Sequence, residues 1–316
     1  MHYGNLYHQF WSLTFDGVNI GAIYALFALG YTLVYGVLRL INFAHSEVFM
    51  IGTFGALFAT EWMGIPAGGA VHHGFTVVLI LVGAGLVAMA FSGGAAVLLE
   101  RIAYRPLRRR GSSRLAALIS AIGASLFLQQ LFFVWRGANY DQFPRIMVKA
   151  HWGHVLGADI RSDKVIIIAT AVVMMVALDR FVNLTRLGRG IRAVAQDAET
   201  AALMGVDIDR VITTTFLVGG LMAGVAALLF MIYNENTYYL VGFTPGIKAF
   251  TAAVLGGIGN LRGALLGGLL LGVIENYGGA LFGGQWKDVT SFVVLVVVLM
   301  FRPTGLLGER LGRARV

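Results

Sequence analysis

The chain has 316 residues, 58% of them hydrophobic and only 13% charged, with a mean hydropathy of +0.77. A soluble domain needs a wettable surface that this composition does not supply, so the chain reads as a membrane protein. The absence of Cys excludes disulfides, thiolate metal sites and cysteine nucleophiles, and the net charge of +8 marks which loops stay in the cytoplasm rather than a nucleic-acid partner.

A helix needs about 20 mostly apolar residues to cross the hydrocarbon core. The leader MHYGNLYHQFWSLTFDG carries no Lys or Arg, so no cleavable signal is expected and the first span, 18–38, stays in the mature chain. Spans follow at 43–63, 75–99, 115–135, 164–182, 211–232 and 286–301. A Gly-rich stretch at 247–283, interrupted by GNLRG at 259–263, is too long for one crossing. It reads as a short descending half-helix, a turn and a returning helix. The expected fold is therefore all-α: a polytopic transmembrane bundle of about eight spans with one broken or re-entrant segment, forming a single domain over 1–316.

Placing the N-terminus outside puts Arg39, Arg101, Arg105, Arg108, Arg109, Arg110, Arg114, Arg180, Arg186, Arg189, Arg192, Arg210, Arg262, Arg302, Arg310, Arg313 and Arg315 on the inner side. Only Arg136, Arg145, Lys149, Arg161, Lys164, Lys248 and Lys287 then lie outside. Positive residues near span ends favour the cytoplasm, so the C-terminus is expected inside.

The loop at 183–210 is too polar for the bilayer. Ile191, Val194, Ala195, Ala198, Ala202 and Leu203 recur at helical spacing with Gly205 as a stop, which predicts one short helix lying at the cytoplasmic face. Its polar side carries Arg192, Gln196, Asp197 and Glu199. Asp209 is expected to cap the next span.

INFAHSEVFM, residues 41–50, concentrates polar groups between two apolar runs. His45 and Glu47, two apart, point about 200 degrees apart on a helix and do not face one another. Asn42 and His45, three apart, could share a face. Either they line a path or hold a helix break, or Asn42 caps a helix start with Glu47 near the first amides and His45 half-wet.

Further along, Gly259, Gly263 and Gly267 recur every four residues, as do Gly268 and Gly272, the small-residue spacing of close helix packing. His72 and His73 read as a solvated outer loop without further metal ligands. No P-loop, nucleophile elbow or complete dinucleotide fingerprint occurs, and the zinc deaminase reading of His45 and Glu47 fails for want of Cys. No catalytic or metal-ligating set is assigned. An intramembrane enzyme would need such a set, and a stand-alone ion-coupled carrier or channel should bury ionisable groups in its spans, where almost none are expected here.

The phrases GAIYALFALGYTLVYGVLRLINFAHSEVFMIGTFGA (21–56), LISAIGASLFLQQLFFVWRG (118–137), GRGIRAVAQDAETAALMGVDIDRVITTTFLVGGLMAGVAALL (188–229), GIKAFTAAVLGGIGNLRGALLGGLLLGVIEN (246–276) and RPTGLLG (302–308) run nearly end to end. Together they resemble the H-type permease subunits of branched-chain amino acid ABC importers, with urea and short-amide permeases as close relatives. The resemblance implies a non-enzymatic subunit of the bacterial inner membrane. Its implied partners are a second permease, of M type or another copy, two cytoplasmic ATPases that use ATP, and a periplasmic solute-binding protein. It also implies that the 183–210 helix docks in an ATPase groove, with Gly190, Arg192, Ala193, Asp197, Ala201 and Gly205 matching the family pattern. Ser46 stands where the family usually has Gly, which argues against a positive-φ break there. The expected path runs between the two permeases along 21–47 and 246–276, with Tyr24, Asn42, His45, Asn260 and Glu275 as its polar candidates.

Overall fold

A computed structural model describes residues 3–155, 158–302 and 304–308. Helix α1 (Tyr3–Leu38) is 36 residues long and starts well before the expected span, because nothing in the leader stops a helix. After a break at 39–44 comes α2 (His45–Trp62). Next, α3 (Phe75–Leu99) continues through a π-helical turn (Glu100–Tyr104) into α4 (Arg105–Arg109), and α5 (Arg114–Arg136) follows. In the loops at one end of the bundle, β1 (Asp141–Gln142) pairs with β4 (Asn236–Thr237), and β2 (His151–Val155) forms a bulged hairpin with β3 (Ala158–Arg161). Then come α6 (Ser162–Leu184), α7 (Arg186–Gln196), α8 (Ala198–Leu203) and α9 (Ile208–Asn234). The chain closes with α10 (Phe243–Gly256), α11 (Leu261–Phe282) and α12 (Lys287–Phe301).

Among the described residues seven helices are long and apolar enough to cross a membrane: α1, α3 with its continuation, α5, α6, α9, α11 and α12. Helix α2, expected as a span, is not one of the seven, which lie close to the expected number of about eight. Helix α2 lies at the centre, where every residue from His45 to Thr60 is buried among α3, α5, α9 and α10. Its surroundings are protein rather than lipid.

The Gly-rich segment breaks as expected, at 257–260, where Gly257 and Gly259 take φ of 110° and 96°. The two repeats on α11 serve different neighbours. A Cβ on Gly267 would lie 2.0 Å from the Ala252 carbonyl of α10, whereas one on Gly272 would lie 2.3 Å from the Gly17 carbonyl of α1. Backbones thus touch on both sides of α11, the packing that small residues allow in lipid. The turn is tied down by 304–308, with Leu306 and Leu307 donating their amides to the carbonyls of Leu255 and Gly256 at 2.8 and 2.9 Å. That segment follows α12, so the turn reaches the same end of the bundle as the C-terminal end of α12.

Outside the membrane the loops interlock. Glu235, at φ 59°, receives Arg145 at 2.9 Å and Lys149 at 2.6 Å. Burial would raise its carboxyl, but these two cations outweigh burial and hold it below the ordinary range. His73 is exposed as expected, while His72 donates its amide to the Ile146 carbonyl at 3.0 Å.

Candidate functional site

The polar loop at 183–210 folds into two helices rather than one. Thr185 accepts the Gly188 amide at 3.0 Å and starts α7; Gly188, Ile191 and Val194, three apart, form its buried face. Asp197 both ends α7 and caps α8, since it leaves the helical region (φ −152°) and accepts the amides of Glu199 and Thr200 at 3.0 and 3.3 Å. The Thr200 hydroxyl, then the Thr200 and Glu199 amides, hold its carboxyl below the usual range. Gly205, at φ 83°, terminates the unit.

The six residues matched here therefore sit in one compact pair. Ala201 is buried, Ala193 packs on the core and Gly190 would bring a Cβ within 3.1 Å of Val211. Arg192 donates to Asn183 Oδ1 at 2.6 Å. What remains open is the tip: Leu203 and Met204 are 88% and 81% exposed. Beyond it, Asp207 rather than the expected Asp209 caps α9 by accepting the Arg210 amide at 3.1 Å. Asp209 is drawn away by Arg108 and Arg109. The pair is also joined to the first span, because Arg39 at the end of α1 donates to the Ala195 carbonyl at 2.7 Å.

Within the membrane the structure brings Tyr24 and Glu275 together and keeps Asn42, His45 and Asn260 apart from them. Glu275 Oε1 accepts Lys248 at 2.9 Å and Tyr24 at 3.4 Å, and its Oε2 accepts Ser291 at 3.2 Å. Lys248 also pairs with Asp288 at 2.6 Å, a residue half open to the outside. Asn260 caps α11, accepting the amides of Arg262 and Gly263 at 3.1 and 3.2 Å, and donates to the Leu307 carbonyl at 2.8 Å.

Asn42 does not cap α2. The capping position belongs to Ala44, without a side-chain bond, and Asn42 instead accepts the Tyr104 hydroxyl at 2.8 Å. His45 is not half-wet but 1% exposed, packed against Phe27 and Tyr31. As the spacing requires, Glu47 points elsewhere, to Ser125 and Gln129 of α5. Ser46 lies inside the first turn of α2 without a positive φ.

Residues 13–299 match the family described as branched-chain amino acid transport system, permease component. The chain belongs to this family. It is 43% identical over 303 residues to the high-affinity branched-chain amino acid transport system permease protein LivH of Escherichia coli strain K12, covering 93% of this chain and 94% of that protein. It is 40% identical over 307 residues to the corresponding permease protein BraD of Pseudomonas aeruginosa, covering 96% and 97%. LivH of Salmonella typhimurium is 41% identical over 309 residues, covering 93% and 94%.

For a permease component of this family, two features went unread in the sequence. One is the number of ionisable groups inside the spans: Glu47, Glu100, Lys248 and Glu275 are all buried, contrary to the expectation of almost none. Glu100, at the π-helical turn, is held by Arg105 at 3.0 Å and Arg108 at 3.2 Å, an arrangement that compensates its burial. The other is α5, which supplies the partners of Glu47 and was read only as a span. The signal for α5 is in the sequence, since Ser120, Ser125, Gln129 and Gln130 interrupt the apolar run between Arg114 and Arg136.

Proposed function

We propose that this chain is the permease subunit of an ATP-driven importer for branched-chain amino acids. Solute delivered by a periplasmic binding protein passes through a path formed with a second permease, of M type or another copy. ATP is used by two cytoplasmic ATPases, and this chain binds no cofactor of its own. The observation that carries the reading, beside the family match, is the open apolar tip of α8. Leu203 and Met204 stand in water at 88% and 81% exposure at the end of a helix pair whose start and middle junction are capped by Thr185 and Asp197. A rigid support with an uncovered apolar end suits a protein groove.

The same pair suits transmission. Force applied at α8 passes through α7 to α6 and α9, its packing neighbours, and through Arg39 to α1. ATPase closure then tilts these spans as a body. Tyr24 and Glu275, backed by Lys248, are proposed as a polar point of the path toward the outer side, while Asn42, His45 and Asn260 hold the adjoining breaks and turn in shape.

The test is co-purification of the chain with its ATPases from membranes, comparing wild type with Leu203→Asp and Met204→Asp. Both side chains are exposed, so these changes leave the fold within about 0.5 kcal/mol. The expected outcome is loss of the ATPases with normal membrane insertion. Retention of the ATPases by the double variant rejects α8 as the docking element.

A further inference from the structure

Among the described residues four carboxylates are buried to 5% exposure or less: Glu47, Glu100, Asp163 and Glu275. Three have a cation at hand. Glu100 meets Arg105 and Arg108, Asp163 meets Arg161, and Glu275 meets Lys248. Glu47, with no exposure at all, forms no ion pair with any described residue. A buried acid without its counter-charge is costly, and an ionisable group in a span marks a working site unless the chain itself compensates it.

We propose that Glu47, presented by Ser125 and Gln129 of α5, is the point within the membrane that meets the ammonium group of the transported solute. The proposal rests on the importer reading above and adds the residue that contacts the solute. Its geometry is specific. Glu47 Oε1 accepts Gln129 Nε2 at 2.8 Å and the Ser125 hydroxyl at 3.0 Å. The Ser46 hydroxyl lies 3.0 Å from the same oxygen, but it has one proton and also reaches the Phe43 carbonyl at 2.7 Å. Oε2 is buried and has no hydrogen-bond partner among the described residues. One oxygen thus orients the carboxylate and the other is left to accept.

The depth fits as well. Ser125 is the twelfth residue of α5, which begins at Arg114, so it lies roughly 16 Å along the helix at about 1.5 Å per residue. That is near the middle of a hydrocarbon core about 30 Å thick, where membrane transporters gather their solute sites. On α5, Ser125 and Gln129 are half-buried and Gln130 is exposed. Polar side chains open at that depth belong against a water-filled path or another protein, not lipid. The cation that Glu47 lacks within its own chain is then supplied by the α-ammonium group of an amino acid.

Because the chain has no Cys, an introduced thiol is its only one, and the importer with this chain unsubstituted measures labelling of the other subunits. Gln130→Cys, in the assembled importer in membrane vesicles, is labelled with a cationic and an anionic methanethiosulfonate reagent of equal size. The expected result is cation labelling faster by roughly tenfold or more, the enrichment of a cleft lined by one sign of charge. The preference should disappear when Glu47→Gln is added and diminish when leucine is being carried. In the intact importer Glu47→Gln should lower leucine uptake by about tenfold or more with ATPases still bound, and Glu47→Asp should restore part of it, as loss of one ammonium contact predicts. Equal labelling by both reagents with Glu47 intact overturns the proposal without need of the Glu47 variant, as does undiminished uptake by Glu47→Gln. An importer that shows the cation preference but carries no branched-chain amino acid refutes the solute reading and leaves the cation site standing.

Discussion

At the residue scale, the seam between α1 and α11 is where one atom matters most. A Cβ on Gly272 would lie 2.3 Å from the Gly17 carbonyl and 2.4 Å from Gly21 Cα, so the obstacle is backbone on the opposite helix. Gly272→Leu is expected to force the two helices apart, at or above the upper end of the about 1–3 kcal/mol typical of overpacking. The thermal midpoint in detergent should fall accordingly. Gly36→Ala, where no atom lies within 4 Å of the added Cβ, provides the control and should keep or raise the midpoint, since Ala favours helix over Gly by about 1 kcal/mol. The close packing was legible from the four-residue spacing of these glycines, but the assignment of one repeat to α10 and the other to α1 was not. Glu47 was legible only as an acid near a helix start, because its partners, Ser125 and Gln129, lie 78 and 82 residues away. No local spacing connects them.

At the element scale, the division of the cytoplasmic loop into α7 and α8 turns on Asp197. Its carboxylate is held below the ordinary range by the Thr200 hydroxyl first and by the backbone amides. A carboxyl depressed in the folded state contributes order at neutral pH. That contribution fades as pH falls below the usual value of about 3.9 and through the lowered one. A spin label on Ala202→Cys should therefore become more mobile on acidification. With Asp197→Ala it should be mobile at neutral pH already, and acid should change it little. If acid loosens both forms equally, the cap is not what orders α8. The sequence pattern located this unit and its stop at Gly205 but read it as one helix, since an Asp among polar residues looks like solvated surface rather than a junction. The spans were legible because a run of apolar residues long enough to cross a bilayer has few other fates. The β2–β3 hairpin and the π-helical turn were not, as both depend on pairings and packing with distant parts of the chain. Ionic residues are hard to place for the same reason: Glu100 and Lys248 look like span-end charges until their partners are found, and Glu275, a path candidate from the sequence, gives no sign there of its pairing with Lys248.

At the scale of the whole molecule, the arrangement fixes which parts share a side. The β2–β3 hairpin and the α7–α8 pair flank the single crossing α6, so they lie on opposite faces of the membrane whichever way the bundle is inserted. The turn at 257–260 binds 304–308 directly, which puts the end of α10 level with the segment following α12. Helix α10 has 14 residues and spans about 21 Å, less than a hydrocarbon core of about 30 Å, so the passage from β4 to the turn is completed by the non-helical residues 238–242 ahead of it. With the Arg-rich loops, including α4 and α7, on the α7–α8 side, the bias of Lys and Arg toward the cytoplasm predicts the absolute orientation. A membrane-impermeant maleimide should label Trp152→Cys, on the 68% exposed hairpin position, in right-side-out spheroplasts. Met204→Cys should react only in inverted vesicles. The reverse pattern would place the α8 tip outside, out of reach of any cytoplasmic ATPase, and the docking role would fall with it. Labelling of both positions from one side would instead rule out a crossing by α6, whose 23 residues are the one connection between them.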